Sequence, residues 1–197
     1  MNTIMDYIVS AIFFGVLALI VGRVQINLNS SLCQNTFRVN TQQNGVQLAN
    51  QIEYDFLKIG NHVTGQKIFY ANTDNIVFHA DIQNNNTINI VSYEKKTPLQ
   101  STQTSNPLDF PLIRTCDGVP ITQQYGLISF SMTYYDTLNR KLATPIETQI
   151  RLDSIRSIRV KFQVESPEQV VSYTDTTYSD INWEKLLFPR NLGKLDY

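Results

Sequence analysis

The chain carries little with which to do chemistry. Its 197 residues include two histidines, two cysteines and one tryptophan. His62 and His79 have no Cys or His neighbour at ligand spacing, which excludes the common zinc motifs. There is no glycine-rich phosphate loop, GxSxG elbow or HExxH pair. Acid pairs such as Asp74 and Asp81 are what any sheet rim shows. No catalytic residue, metal or cofactor is expected, and the chain does not read as an enzyme. Charge is sparse too. Sixteen basic and seventeen acidic residues leave a formal net charge of −1, too weak a field to recruit nucleic acid or an acidic surface. Polarity comes instead from amides, with 18 Asn and 15 Gln. Stretches such as Asn40–Asn44 and Gln83–Thr87 suit the exposed turns of an exported protein.

One long apolar run is present. From Tyr7 to Gly22 lie sixteen uncharged residues, between Asp6 and Arg23. At ~1.5 Å per residue they span about 24 Å, a little short of a ~30 Å bilayer core. Ile4 and Met5 entering, and Arg23 snorkelling, would make up the difference. A cleaved signal peptide needs a basic start and a small-x-small site, and MNTIMD and Ile20-Val21-Gly22 supply neither. A core helix that is apolar all round is unusual at the very start of a chain. A single-span anchor fits best. Arg23 and Arg38 weakly favour a cytoplasmic body, but long domains translocate largely regardless of charge, and the amide-rich body argues for export. Cys33 and Cys116 both follow the apolar run. An exported body permits a disulfide between them, clipping the helix to the body; alternatively both are small buried apolar residues.

Beyond the run a helical period persists to about Gly60. Ile26, Cys33, Phe37, Leu48, Ile52, Phe56 and Ile59 step along one face. Gln25, Asn29, Gln43, Gln47, Gln51, Glu53 and Lys58 take the other. Thr36–Gly45 has weak helix formers, so a bend or local melting is expected there. Ile52, Phe56 and Ile59 should lie against a sheet. From Lys67 the period becomes two. Strands are expected at Lys67–Ala71, Asn75–Asp81, Thr87–Tyr93, Leu112–Thr115, Leu127–Tyr135, Ile155–Val164 and Val170–Thr174, with a turn at Asp136–Arg140. Ile128, Phe130, Met132 and Tyr134 share one side of their strand, with Leu127, Ser129, Ser131, Thr133 and Tyr135 on the other. Ile158, Val160, Phe162 and Val164 share one side of theirs. Pro98–Pro111 reads as a loop, and the tail around Trp183 as a last strand or a short helix. The plan is α+β. Residues 1–24 form the transmembrane part of the N-terminal helix, 25–60 its amphipathic half, and 61–197 a β-rich globular body on an antiparallel sheet.

Taken in order, these features resemble the type IV pilin superfamily. The family's mature N-terminus reads Phe-Thr-Leu-Ile-Glu before an apolar run. Here Thr3 matches the Thr, Ile4 and Met5 the two apolar positions, and Asp6 stands where the family has Glu. Ile52–Gly60, Tyr125–Asp136 and Leu152–Ser166 followed by Pro189–Leu192 are similar to stretches of the larger PilW-type minor pilins and J-type pseudopilins. Two departures are clear. Met1 and Asn2 stand where the leader's final Gly and the mature Phe would be, so no prepilin peptidase substrate is expected in the chain as it stands. Asp6 is one methylene shorter than Glu. The resemblance implies a filament subunit that does no chemistry. Ile8, Ile12, Phe13, Val16, Leu19 and Ile20 would pack on sister helices, and Asp6 would pair with a neighbour's N-terminal amine. It also implies as partners other pilin-like subunits, the bacterial inner membrane and an assembly platform. The body would be periplasmic, and extracellular once in a filament. The other reading is a single-pass periplasmic or surface protein with a β-rich binding body and no filament.

Overall fold

The computed structural model describes residues 2–96, 106–123, 125–171 and 176–193. One helix, α1 (Asn2–Leu57), is unbroken over 56 residues. The local melting allowed for across Thr36–Gly45 does not occur. Thr36 and Thr41 fold their hydroxyls back onto the carbonyls of Leu32 (2.9 Å) and Phe37 (2.8 Å). Each thereby satisfies its polar group inside the helix. The helix stops after Leu57, where Gly60 takes φ +75° and donates its N–H to the His79 carbonyl at 2.8 Å. A left-handed residue just past a helix end is glycine's usual place.

The body holds two main antiparallel sheets. The first runs in the order β1 (Ile68–Ala71), β2 (Asn75–Ala80), β3 (Asn89–Lys95), β4 (Leu112–Cys116) and β5 (Val119–Gln123). Sequence patterning misses β5, because Pro120 within it argues against a strand. Yet Pro120 lies on an edge strand opposite Thr115, where a missing N–H is tolerated. Asp117-Gly118 joins β4 to β5 with φ +50° and +80°, the two-residue turn that Asp-Gly favours.

The second sheet orders its strands β10 (Asp180–Leu187), β7 (Ser157–Glu165) and β6 (Leu127–Tyr135). The short helix α2 (Gln149–Asp153) precedes β7, and β8 (Val170–Val171) pairs with β9 (Thr176–Thr177). The tail around Trp183 is thus a strand. The expected alternation holds in β7, but β6 carries a bulge between Leu127 and Ser129. Leu127 therefore turns inward with Phe130, Met132 and Tyr134, not outward with the serines. The expected strand over Thr87–Tyr93 slides to Asn89–Lys95. Of Val170–Thr174, residues 172–174 lie outside the described residues, as do residues 98–105 of the expected loop.

One core joins the layers. Leu48, Ile52, Phe56 and Ile59 are fully buried. Phe56 meets Phe78 and Tyr93 edge-on at 5.8 and 5.5 Å between ring centres. On the other sheet Trp183 stacks on Phe162 at 4.9 Å. The helix runs alongside β10. Gly45 faces Ile181, and Glu53 accepts from Lys185 Nζ at 2.6 Å. Eight helical residues rise about 12 Å and four strand residues about 13 Å, so the two elements keep step.

Candidate functional site

The body covers only the last third of the helix. Thr41 is the first buried residue from the N-terminus, and residues 3–40 are exposed or half-exposed throughout. At ~1.5 Å per residue, about 57 Å of helix stands clear of the fold. An 18-residue window in it reaches a mean hydropathy of 2.4 with none of it buried. The helix is therefore long and apolar enough to cross a bilayer.

Every interface position expected from the sequence lies on this free segment. Ile8, Ile12, Phe13, Val16, Leu19 and Ile20 are between 50% and 71% exposed, and Asp6 is exposed beside them. At ~100° per residue the six apolar side chains occupy an arc of about 140°, with Asp6 at its rim.

The amphipathic half differs from the sequence reading. Ile26 is 69% exposed and Cys33 is exposed, because the body does not reach that far up the helix. Cys116 sits at the end of β4, half-buried, and both thiols are free. The two are not joined in this structure. Cys33 precedes the first buried helix residue by eight positions, about 12 Å along the axis.

A second apolar stripe also appears. Leu28, Leu32, Val39, Val46 and Leu57 are all exposed, lie within about 40° of one another and face away from the buried stripe. Their spacings of four, seven, seven and eleven are helical repeats. That signal was available in the sequence, but it was hidden among the glutamines on the same side.

Where the helix meets the body, a polar cluster fastens it. Asp55 is fully buried on the apolar face, between Ile52 and Ile59. Its Oδ2 accepts from Arg114 Nε and from the Tyr93 hydroxyl, both at 2.6 Å, and its Oδ1 accepts from Arg114 Nη2 at 3.3 Å. The fork geometry suits a guanidinium. Burial, and then the Asp55 charge, push the Tyr93 hydroxyl well above its ordinary pKa. Burial alone would lower Arg114, but Asp55 outweighs it and holds the guanidinium protonated. Below the helix end, burial would raise the Asp81 carboxyl. His62, at 2.8 Å, and the backbone amides of Asn86, Asn85 and Asn84 outweigh that and hold it below the usual carboxylate range. Both clusters turn their charges inward onto structural partners.

No family model matches the chain, and no characterised protein matches it in sequence. Among solved structures, a type IV-like pilin from Thermus thermophilus is similar, with a TM-score of 0.49 and 10% identity, over 78% of this chain and 97% of that one. At that identity the likeness concerns the course of the chain and says nothing of residue roles.

Proposed function

We propose that this chain is a structural subunit of a pilin-like filament, of the minor pilin or pseudopilin kind. One observation carries the reading. A helix segment about 57 Å long, apolar over its first part, stands free of the fold and is continuous with a segment locked into the body. Before assembly, residues 1–24 sit in the inner membrane with the body in the periplasm. On assembly, Ile8, Ile12, Phe13, Val16, Leu19 and Ile20 pack against sister helices. There the gain is close packing, since lipid tails are as apolar as the partner. Asp6, at the rim of that arc, pairs with a neighbour's N-terminal amine and sets the register. A carboxylate at this depth is costly alone and acceptable when paired. The residues named do no bond-making; assembly force comes from a platform and motor outside this chain. A place at or near the filament tip is part of the proposal.

The test pairs two variants in the native host. Asp6→Ala should abolish recovery of the subunit in sheared filaments while leaving its membrane level unchanged. Val16→Cys should give oxidative cross-links between the chain and a pilin-like neighbour. Absence of the unaltered subunit from sheared filaments, together with absence of any Val16→Cys cross-link, would favour an anchored binding protein that never enters a filament; full assembly of Asp6→Ala would refute the role given to Asp6.

A further inference from the structure

The end of the body remote from the free helix carries a cleft of about 390 Å³. Its position follows from the register of α1 with β10. Ile181 lies by Gly45 and Lys185 by Glu53, so Leu186 and Phe188 fall beyond them toward the helix C-terminus. The cleft opens there, between the Asp136–Arg140 turn, the start of β7 and the end of β10. It is walled by Leu186 and by Phe188, which is 61% exposed.

Arg156 sets its character. The side chain is half-buried, and its Nη1 donates to the carbonyls of Asp153 (2.5 Å) and Ile155 (2.8 Å). Those two bonds hold the guanidinium in place. No carboxylate pairs with it among the described residues, although Asp136 lines the same cleft. Asp136 is already engaged. It accepts from Arg140 through backbone and side chain and from the Leu138 amide, with each oxygen in use. The Arg140 backbone amide comes first among the causes that hold its carboxyl low. An orientated, partly desolvated cation thus faces an open space with one apolar wall, while the nearest acid is satisfied elsewhere.

We infer that this cleft binds a monoanionic carboxylate with an aromatic or branched aliphatic body, the chemistry of a peptide's C-terminal residue. The free edge of one guanidinium matches a planar carboxylate in fork fashion. A phosphate dianion fits less well, because it finds a single cation and has Asp136 beside it. Phe188 and Leu186 supply the contact for the body, and the volume suits a ligand of that size. The inference stands whether or not the chain enters a filament.

The test uses the full chain in alkyl maltoside micelles, with 3-phenylpropionate as probe and binding read by calorimetry. Its neutral amide and inorganic phosphate serve as comparison ligands. Phenylpropionate should bind in the millimolar range or tighter, and the amide and phosphate at least tenfold more weakly. Arg156→Gln should weaken phenylpropionate at least tenfold. Phe188→Ala, at an exposed site that leaves the fold intact, should weaken it several-fold. No binding of phenylpropionate to the unaltered chain at 10 mM would overturn the inference. So would equal binding of the amide, tighter binding of phosphate, or a Kd unmoved by both substitutions.

Discussion

Replacing Asp55 with Ala should rank among the costliest single changes on the helix. Asp55 is fully buried, and the Arg114 side chain it holds is about 10% exposed. Its removal strands a guanidinium and a tyrosine hydroxyl between helix and sheet. Breaking a buried pair from one side costs about 3–5 kcal/mol. Domains of this size are stable by roughly 5–15 kcal/mol, so the loss is a large fraction of the total. Asp55→Asn keeps the shape and some hydrogen bonding, and should cost about 2–3 kcal/mol. The double change Asp55→Leu with Arg114→Met removes both charges but leaves the Tyr93 hydroxyl without its acceptor, so it should recover part of the loss, and adding Tyr93→Phe should recover more. The assay is urea unfolding of the full chain in micelles, followed by the fluorescence of Trp183, which stacks on Phe162 in the second sheet. A loss below 1 kcal/mol for Asp55→Ala, or no recovery in the double variant, would refute the claim that this cluster fastens the helix to the body.

Three further outcomes follow from local geometry. At Gly45 an added Cβ would lie 3.4 Å from Ile181 Cγ2, ordinary contact, so Gly45→Ala should stabilise by up to about 1 kcal/mol through helix propensity. Gly45→Leu should destabilise in the same urea assay, because it would push β10 away. Gly126 has φ +73°, and a Cβ there would sit 2.3 Å from the Glu165 carbonyl oxygen. Gly126→Ala should therefore cost on the order of 3 kcal/mol. Stability should also fall at both pH extremes. Asp81 and Asp136 have lowered pKa values, so their contribution is present above about pH 4 and lost as pH falls through the folded-state values. Tyr93 and Tyr134 are raised, chiefly by burial, so theirs is complete below about pH 10 and declines above it. Urea midpoints across pH check both arms, and Tyr93→Phe should flatten the alkaline one.

Periodicity made the helix and most of the sheet readable because burial is strongly one-sided there. Ile52, Phe56 and Ile59 repeat at helical spacing and are buried as expected, and β7 alternates from Ile158 onward. The reading failed where one interaction overrides the pattern. The bulge at Leu127 shifts a side chain by one face, Pro120 sits in an edge strand, and α1 continues through a stretch of weak helix formers. Asp55 was the largest omission. A lone acid inside an apolar stripe is a sign of a buried partner, but nothing in the chain order points to Arg114, 59 positions on. The free upper helix was legible from composition alone, whereas the second, outward stripe of α1 was masked by the glutamines interleaved with it.

The most direct measurement exchanges residues 1–23 for an unrelated single-span anchor of equal length and recovers filaments from the native host. The account predicts that the hybrid reaches the membrane with a folded body and is missing from sheared filaments. The same exchange entering filaments at the unaltered level would contradict it, because the identity of the free apolar helix would then not matter to assembly.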